Sequence, residues 1–561
     1  MPSPVTNSIY LTECTELEVG QIISELKNGK ASDFPIKVIK KLSHILTPVL
    51  TAQFNNAMTM GVFPSILKIG KITPVYKKDD EQLLENYRPV STLPIFGKIF
   101  EKIIYSRLYG FFASNGTLNK NQFGFRTGHS TSHALNYSIH NIEKAIQEGK
   151  HVLCIFIDLS KAFDTIDHNI LLMKLRTYGI RGVPLQLIRS YLSDRKQHVN
   201  ILGELSENLP VLFGVPQGSC LGPLLFLIYI NDLPNISNSA QFVLFADDTN
   251  IFITGKNKAE AYTDANKILK ILEYYMLINK LHINMSKCCY IDFKSSSSNT
   301  SGDYDININN SVIEQVKETK FLGVTIDENL NWNAHVNKLS KKLSCSTGIL
   351  NTIKDNIPID LYKELYHTLF ESHLSYGISV WGGISNNKLE PLFKLQKKCM
   401  RILFGDKEAY LDKFRTCART REFGNQKLGK EFYQRERSKP LFNNHSIMNV
   451  RNLYTYHCSN ELLKILKFRT PMSMFELFEL SDINGKETRI ITPAPSVNYF
   501  YQASLIWNVV RDLLKIFDFS PETGPIIAGI KRKILEIQSS GDPVGWQHGS
   551  WNTLQYHNNK S

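Results

Sequence analysis

The sequence contains few cysteines, and their spacing supports neither a disulfide scaffold nor a zinc scaffold. Its nine cysteines follow no regular pattern, no C-x-x-C pair occurs, and just Cys288 and Cys289 lie close together. Zinc ribbons and disulfide frameworks both need closely and repeatedly spaced cysteines. We therefore expect buried free thiols in a reducing compartment.

The sequence also lacks a long apolar run. The longest, residues 220–230, is too short to span a bilayer and contains Gly222 and Pro223. The first residues, Met-Pro-Ser-Pro-Val-Thr-Asn, lack the basic and then apolar segments of a signal peptide. We expect an intracellular protein, nuclear or cytoplasmic, that is not secreted and has no membrane partner.

The composition that is present is that of a folded basic protein. Hydrophobic residues make up 42% of the 561 residues and charged residues 21%, which excludes a disordered chain. The length predicts about two to four packed units. With 65 Lys and Arg against 52 Asp and Glu, the formal charge is +13, which favours a polyanionic partner such as nucleic acid.

A local excess of positive charge lies between residues 388 and 440, where 15 Lys and Arg face 7 Asp and Glu. This stretch could bind phosphates along a groove, or it could be a solvated helix face.

Hydrophobic periodicity predicts an α+β protein with helical regions on both sides of a sheet-containing core. Predicted helices cover residues 17–26, 36–57, 95–112, 169–178, 184–192, 219–231, 258–276, 335–353, 361–374, 389–404, 462–466 and 505–514. Predicted strands cover residues 71–76, 152–157, 197–202, 209–213, 242–245 and 250–254. Two strands and a helix in each half, arranged around a hairpin, indicate a ferredoxin-like sheet.

Three aspartates follow short apolar runs of this core. Asp158 ends the strand predicted at residues 152–157, and Asp247 and Asp248 occupy the predicted hairpin between residues 242–245 and 250–254. Three carboxylates on neighbouring strand ends could hold two hard divalent cations for in-line phosphoryl transfer to a nucleic-acid strand. Taken alone, two adjacent aspartates in a turn are more often solvated turn formers.

Eight sequence blocks then resemble, in order, the reverse transcriptases of LINE-type non-LTR retrotransposons of the jockey and CR-like kind. The blocks, which lie within roughly residues 20 to 400, are IGKITPVYKK at 69–78, NYRPVS at 86–91, QFGFR at 122–126, FIDLSKAFD at 156–164, GVPQGS at 214–219, FADD at 245–248, NMSK at 284–287 and FLGV at 321–324.

The resemblance implies a right-hand polymerase with helical fingers, a ferredoxin-like palm sheet, a helical thumb and a mainly helical C-terminal region. The implied divisions are a polar tail at 1–20, fingers and palm at 21–330 with the palm core at 151–330, and a thumb at 331–405. A basic connector and C-terminal region without an assigned role follows at 406–540, and a polar tail at 541–561.

The resemblance also implies a set of site residues. The implied catalytic residues are Asp158, Asp247, Asp248 and Lys287, with Lys287 as a general acid toward the leaving pyrophosphate. The implied ligands of two Mg²⁺ ions, for which Mn²⁺ could substitute, are Asp158, Leu159, Asp247 and Asp248. The implied nucleotide-binding residues are Lys77, Lys78, Arg88, Phe163 and Gln217, and the implied primer grip is Phe321, Leu322 and Gly323.

Each nucleotide-binding residue has a physical rationale and a plainer alternative. Arg88, Lys77 and Lys78 would neutralise a triphosphate, although surface lysines are commonly just solvated. Phe163 would lie under the incoming sugar and exclude a 2′-hydroxyl; alternatively, it is a core phenylalanine. Gln217 would touch nucleotide or template, or would face water as a loop amide.

By the same resemblance, Asp164, Asp167 and His168 belong to the framework and a helix N-cap, not to the metal shell.

The implied function is RNA-templated DNA synthesis from a primer 3′-hydroxyl, with an RNA template, a DNA primer or target and deoxynucleoside triphosphates as partners. Two alternatives stay open at this point: a catalytically inactive nucleic-acid-binding remnant of such an element, and a polymerase that synthesises RNA.

Overall fold

The computed structural model describes residues 4–29, 32–77, 80–293, 304–405, 438–483, 486–491, 499–514 and 523–540. These residues form a mixed α/β structure, so the predicted class is confirmed at that level. Lys78, the serine-rich residues 295–302, most of the basic stretch (406–437) and the tail at 541–561 lie outside the described residues. Among the described helices, none is long and apolar enough to cross a bilayer.

The helices are, in chain order, α1 (Glu16–Ser24), α2 (Ile36–Lys41), α3 (Ser43–Met60), α4 (Ile95–Ser114), α5 (Thr131–Gln147), α6 (His168–Thr177), α7 (Val183–Leu192), α8 (Gly222–Ile230), α9 (Lys258–Ile278), α10 (Asn333–Ile353), α11 (Tyr362–Leu365), α12 (Ser372–Ser375), α13 (Ile378–Trp381) and α14 (Asn386–Phe404). A π-helical segment, Tyr366–Glu371, joins α11 to α12. Further helices lie at Ser438–Asn444, Val450–Phe468, Met472–Phe475, Tyr499–Leu514 and Thr523–Ser540.

The strands are β1 (Ile69–Tyr76), β2 (Tyr87–Thr92), β3 (His151–Ile157), β4 (Lys196–Ile201), β5 (Glu204–Leu205), β6 (Leu209–Pro210), β7 (Ala240–Phe245), β8 (Asp248–Gly255), β9 (Cys289–Phe293), β10 (Asn307–Ile308), β11 (Ser311–Val312), β12 (Glu314–Gln315), β13 (Glu318–Phe321), β14 (Val324–Asp327), β15 (Glu479–Ile483) and β16 (Lys486–Ile491).

The chain divides into two compact units. The first contains residues 1–127, 150–290 and 297–315, and the second contains residues 128–149, 291–296 and 316–561.

A five-stranded sheet in the order β12-β9-β3-β8-β7 is the scaffold of the first unit. Strand β3 is buried along its whole length and pairs antiparallel with β8, which pairs antiparallel with β7. Helix α9 packs against β3 and β8. Helix α8, whose sequence GPLLFLIYI has no charged residue, lies in the same core. A strand and a helix that are apolar on every face are expected to be buried on every face.

A second sheet of the first unit carries the hairpin of β1 and β2. These strands pair antiparallel, with Val75 opposite Arg88, and β1 also pairs parallel with β4. The backbone N–H of Ser91 in β2 donates to the carbonyl of Gln217, 2.9 Å away, so this hairpin is tied to the loop that precedes α8.

The second unit contains the β13–β14 hairpin and most of the C-terminal helices. Asp327 fixes the turn that leads into α10, because its carboxylate accepts the backbone N–H groups of Asn329, Asn331 and Trp332 at 3.1–3.2 Å. Helix α5 belongs to this unit and is capped by Ser130, which accepts the N–H of His133.

Four predicted elements are broken, shortened or interrupted in the structure. The helix predicted at 36–57 is broken at Leu42 into α2 and α3, and the strand predicted at 209–213 is two residues long and exposed. The helix predicted at 219–231 begins at Gly222, where Ser219 accepts the N–H of Gly222. The helix predicted at 361–374 is interrupted by the π-helical segment.

Candidate active site

Three aspartates meet where β3 ends and the β7–β8 hairpin turns. Ile157 in β3 pairs with Thr249 in the antiparallel strand β8. The register therefore continues with Asp158 opposite Asp248. Phe245 pairs with Asp248, which leaves Ala246 and Asp247 as a two-residue loop. The register therefore brings Asp158, Asp247 and Asp248 to the same end of the sheet, as the sequence predicts.

The hairpin loop has an unusual backbone at Ala246. This residue is buried and has a φ of 58°, a left-handed conformation that two-residue hairpin loops favour but that a residue with a Cβ adopts at a cost. The side chain of Gln122 meets this residue: its Oε1 accepts the Ala246 N–H at 3.1 Å. The tight turn is thus stabilised from outside the hairpin.

The carboxylates interact electrostatically. Partial burial is the first cause that raises the pKa of Asp247, and the nearby charge of Asp158 raises it further. Partial burial also raises the pKa of Asp248, to about 6, together with the charges of Asp247 and Asp158. Crowded carboxylates that disfavour their own ionisation gain most from a cation.

Lys287 supplies a cation to this cluster. Its Nζ lies 2.8 Å from Oδ2 of Asp158, and its charge opposes the raised pKa of Asp247 and Asp248. The segment before Lys287 is fixed to β3, because the N–H of Asn284 donates to the carbonyl of Asp158 at 2.8 Å. The structure therefore places this predicted site residue against the first aspartate.

The donor set suits hard divalent cations, because three carboxylates with like-charge repulsion offer oxygen ligands only. Within the described residues, no group of three His, Cys, Asp or Glu side chains has the geometry to hold a metal ion without rearrangement. One carboxylate oxygen of Asp158 is paired with the Lys287 ammonium. Leu159, the fourth predicted ligand, is buried. Both of its neighbours form backbone hydrogen bonds: the carbonyl of Asp158 accepts the N–H of Asn284, and the N–H of Ser160 donates to the carbonyl of His282.

Gln217 contacts Asp164, one of the predicted framework residues. Its side-chain Nε2 donates to both carboxylate oxygens of Asp164, at 3.0 and 2.9 Å. Its backbone carbonyl accepts the backbone N–H of Ser91. Burial raises the pKa of Asp164, whereas the bond from Gln217 lowers it. The next residue, Gly218, has a φ of 110°, and a Cβ there would lie 2.5 Å from the carbonyl oxygen of Ser91.

Phe163 is half-buried between two other rings. Its centroid lies 4.6 Å from that of Phe226 in α8 and 6.0 Å from that of Phe125, which is half exposed. One side of the ring is therefore fixed by the core.

The basic residues of the β1–β2 hairpin are exposed. Arg88 is close enough to lower the pKa of Asp247 by its charge, which places it in the electrostatic field of the aspartates. Lys77 extends the hairpin, since its N–H donates to the carbonyl of Asn86 at 2.9 Å. Lys78 lies outside the described residues.

Comparison with known proteins shows which family the region around this site resembles. Residues 75–326, which include every residue of the carboxylate cluster, match the profile of the family described as reverse transcriptase (RNA-dependent DNA polymerase). This stretch of the chain is therefore similar to a reverse transcriptase domain.

Curated relatives extend the similarity beyond this domain. The chain is 26% identical over 422 residues to the RNA-directed DNA polymerase from mobile element jockey of Drosophila melanogaster, an alignment that covers 72% of this chain and 45% of the relative. It is 26% identical over 406 residues to the probable RNA-directed DNA polymerase from transposon X-element of the same species (70% and 44%), and 27% identical over 402 residues to that from transposon BS (68% and 42%).

The predicted relationship to the reverse transcriptases of LINE-type non-LTR retrotransposons is confirmed by these matches. The chain spans less than half the length of these relatives.

The predicted primer-grip residues lie in the second unit. Phe321 ends β13, and Leu322 and Gly323 form the turn to β14 with φ values of 44° and 88°. The hydroxyl of Tyr376 donates to the carbonyl of Leu322 at 2.7 Å, and a Cβ on Gly323 would lie 2.7 Å from the Tyr376 ring. This turn is thus held by a side chain from the helical region that follows it.

The framework residues behave as the sequence predicts at one point. Asp167 caps α6, accepting the N–H groups of Asn169 and Ile170 at 2.9 and 3.0 Å, and it also pairs with Lys280. His168 contacts the carbonyl of Gly214 through Nε2 at 2.8 Å.

Two contacts near the candidate site were not predicted from the sequence. Gln122 was noted just as part of a family block, and its contact with Ala246 depends on tertiary structure. Glu101 in α4 is buried and accepts the N–H of Cys220 at 2.6 Å and the hydroxyl of Tyr191 at 3.0 Å. A charged residue on an apolar helix face was the one available signal, since buried carboxylates are rare unless they are partnered.

Proposed function

We propose that this chain is an RNA-directed DNA polymerase that extends a primer 3′-hydroxyl with deoxynucleoside triphosphates on an RNA template. The observation that carries the proposal is the register of β3, β7 and β8, which brings Asp158, Asp247 and Asp248 to one sheet end within the stretch similar to a reverse transcriptase domain. Phosphoryl transfer is catalysed mainly by positioning and by neutralisation of charge, and both need such a cluster.

Asp158, Asp247 and Asp248 would hold the divalent ions, Mg²⁺ or Mn²⁺, and the bound ions would neutralise charge on the transferred phosphoryl group. The raised pKa values of Asp247 and Asp248 support this assignment, because a bound cation offsets the partial burial and the like-charge repulsion that raise them. Leu159 is a proposed fourth ligand.

The remaining roles are proposed from the charge of each side chain and, where they are described, its contacts. Arg88 and Lys77, with Lys78, would bind the triphosphate, since they are cationic and Arg88 already influences Asp247. Gln217 would border the nascent base pair with its orientation fixed by Asp164. Lys287, beside Asp158, would donate a proton to the leaving pyrophosphate.

The proposal includes partners and an arrangement of regions. The RNA template and the DNA primer would lie against a palm at residues 151–330, helical fingers before it and a thumb at residues 331–405, with Phe321, Leu322 and Gly323 contacting the primer strand. The basic residues of 388–440 would bind phosphates. An intracellular location is part of the same proposal.

Primer extension tests the activity. The intact chain, Asp247→Asn and Asp248→Asn are compared on an RNA template with a DNA primer, with Mg²⁺ or Mn²⁺, and template–primer binding is measured in parallel. We expect synthesis by the intact chain, and a loss of about 10³-fold or more in both variants with unchanged binding. An intact chain that binds template but extends no primer with either ion would instead be an inactive remnant.

The same assay tests the choice of sugar. Phe163→Ala removes the ring proposed to lie under the incoming sugar, so we expect ribonucleotide incorporation to rise relative to deoxynucleotide incorporation. Phe112→Leu is the matched control, because it removes a fully buried ring of the first unit whose ring contact is with Phe111. An unchanged sugar preference in Phe163→Ala would contradict the gating role.

A further inference from the structure

We propose that Gln122 is a positioning residue that holds the Ala246–Asp247 turn, and through it the two adjacent aspartates, in the geometry that synthesis requires. This inference deepens the proposed function and rests on it for its catalytic consequence. The contact itself is independent of any activity.

The Gln122 side chain contacts the backbone on both sides of Ala246. Its Oε1 accepts the Ala246 N–H at 3.1 Å and the Gly124 N–H at 2.8 Å, while its Nε2 points to the Ala246 carbonyl at 3.4 Å. The side chain is almost fully buried, with a relative exposure of 2%. An amide buried in this way bonds the turn in place of water, and an apolar replacement would leave two N–H groups without an acceptor.

The segment that carries Gln122 is itself bonded to the hairpin. The N–H of Phe123 donates to the carbonyl of Leu244 at 2.8 Å, and the N–H of Leu244 donates to the carbonyl of Asn121 at 2.9 Å. These bonds form a short parallel bridge between Gln122 and Leu244 at the end of β7.

Gly124 shows how closely the two backbones approach. A Cβ built on this glycine would lie 2.2 Å from the Ala246 nitrogen, so no larger residue fits without a shift of the backbone. Arg126 then closes the loop around Gln122, because its Nη1 donates to the carbonyls of Asn119 and Gln122 at 2.7 and 3.2 Å. The support beneath the turn is therefore rigid.

Ala246 explains why the turn needs this support. It occupies the first loop position at a φ of 58°, where glycine would fit without strain. Asp247 and Asp248 follow directly, so a relaxation of Ala246 toward negative φ would change the direction of both side chains. A residue that fixes Ala246 therefore fixes the carboxylates.

The test removes the acceptor and keeps the volume. Gln122→Met is compared with Asn266→Leu, a matched control in which another side-chain amide of the first unit loses its bonds to backbone groups, those of Asp305 and Asn307. Hydrogen exchange of the peptide that covers residues 244–249 is measured first, because the Ala246 amide is the donor in question. We expect exchange about 10-fold faster or more in Gln122→Met and unchanged in Asn266→Leu.

Kinetics and a second background then separate positioning from stability. Misplacement of reacting groups by about 1 Å costs up to about 100-fold in rate, so we expect kcat to fall at least tenfold in Gln122→Met with template–primer affinity unchanged. In an Ala246→Gly background the left-handed turn has no Cβ strain to drive its relaxation, so Gln122→Met should then cost at least threefold less. A merely structural role would give the same loss in both backgrounds.

Each outcome decides a different question. Unchanged hairpin exchange in Gln122→Met, or faster exchange with unchanged kcat, overturns the inference, as does an equal loss in Asn266→Leu. If the intact chain extends no primer, the proposed function fails, and the effect of Gln122→Met on hairpin exchange and on the Mn²⁺ affinity of the chain decides the positioning role by itself.

Discussion

Lys287 and Asp158 form an ion pair in which Nζ lies 2.8 Å from Oδ2. The lysine is half exposed and comes from the turn before β9, whereas the aspartate directly follows β3. This ammonium, together with the guanidinium of Arg88, partly neutralises the charge of the aspartates. A bound divalent ion and the ammonium would therefore compete for the same oxygen.

Replacing Lys287 should separate its electrostatic effect from its role in synthesis. We expect Lys287→Gln to bind Mn²⁺ more tightly, by about two- to tenfold, because the competing cation is gone. Synthesis should nevertheless slow by about 10- to 100-fold if the lysine protonates pyrophosphate. Isothermal titration calorimetry measures the Mn²⁺ affinity, and single-turnover primer extension measures the rate of synthesis.

The matched control for Lys287 is Lys280→Gln. Lys280 pairs with Asp167 at 2.6 Å and is similarly exposed, but it belongs to the α6 cap. An equal change of Mn²⁺ affinity in both variants would show an effect of net charge and contradict direct competition.

The raised pKa of Asp248 makes a prediction about pH. Its pKa of about 6 in the folded chain exceeds the ordinary value of 3.8, so the folded state binds this proton more tightly than the unfolded state. The contribution of this group to stability is therefore present below pH 4 and is lost as the pH rises through about 6. We expect Asp248→Asn to raise the melting temperature of the metal-free chain by roughly 1–3 °C at pH 7.5 but not at pH 4.

Metal binding should show the opposite dependence on pH, because the ion binds the deprotonated carboxylates. Mn²⁺ affinity should fall as the pH decreases through about 6. A pH-independent affinity, or destabilisation by Asp248→Asn at pH 7.5, would contradict the crowding of these carboxylates.

Two glycines should respond oppositely to alanine. Gly124→Ala places a Cβ against the Ala246 backbone, so we expect loss of at least 90% of synthesis and a destabilisation of about 2–4 kcal/mol. Gly110→Ala, in the middle of α4 with open space around it, should stabilise the fold by about 0.5–1 kcal/mol and leave synthesis unchanged. Denaturant unfolding and primer extension test both, and a neutral Gly124→Ala would show that the close approach is not required.

Tyr376 should affect the use of primer. Tyr376→Phe deletes the hydroxyl that bonds the Leu322 carbonyl, and we expect primer affinity to weaken by about two- to tenfold with little change in stability. Tyr362→Phe is the control, because it deletes a hydroxyl that bonds the Lys354 carbonyl, away from this turn. Filter binding with DNA primers on RNA measures the effect, and equal losses in the two variants would exclude a specific role for Tyr376.

The elements that could be predicted are those in which local sequence and burial agree. The apolar run that ends in Asp158 is a fully buried strand, and Phe245 and Asp248 pair across the turn as the sequence pattern suggests. The exposed residues 209–213 show the limit, because an apolar pattern without a core to face yields a strand of two residues. Helix α5 was missed because its buried face contains polar residues such as His133, Asn136 and Ser138.

The missing part of the candidate site consists of contacts between distant segments. Gln122 and Ala246 are 124 residues apart, and Lys287 and Asp158 are 129 apart. Neither periodicity nor turn chemistry encodes such pairings, since these depend on how the elements pack. The family resemblance named the blocks, but it did not say which block supports which.

Gln217 commits its amide nitrogen to the carboxylate of Asp164, which leaves an oxygen as the free end of the side chain. A flip of the amide group would break both hydrogen bonds to Asp164. A molecule that bonds to this oxygen must therefore supply a hydrogen-bond donor, so the contact selects for donor groups.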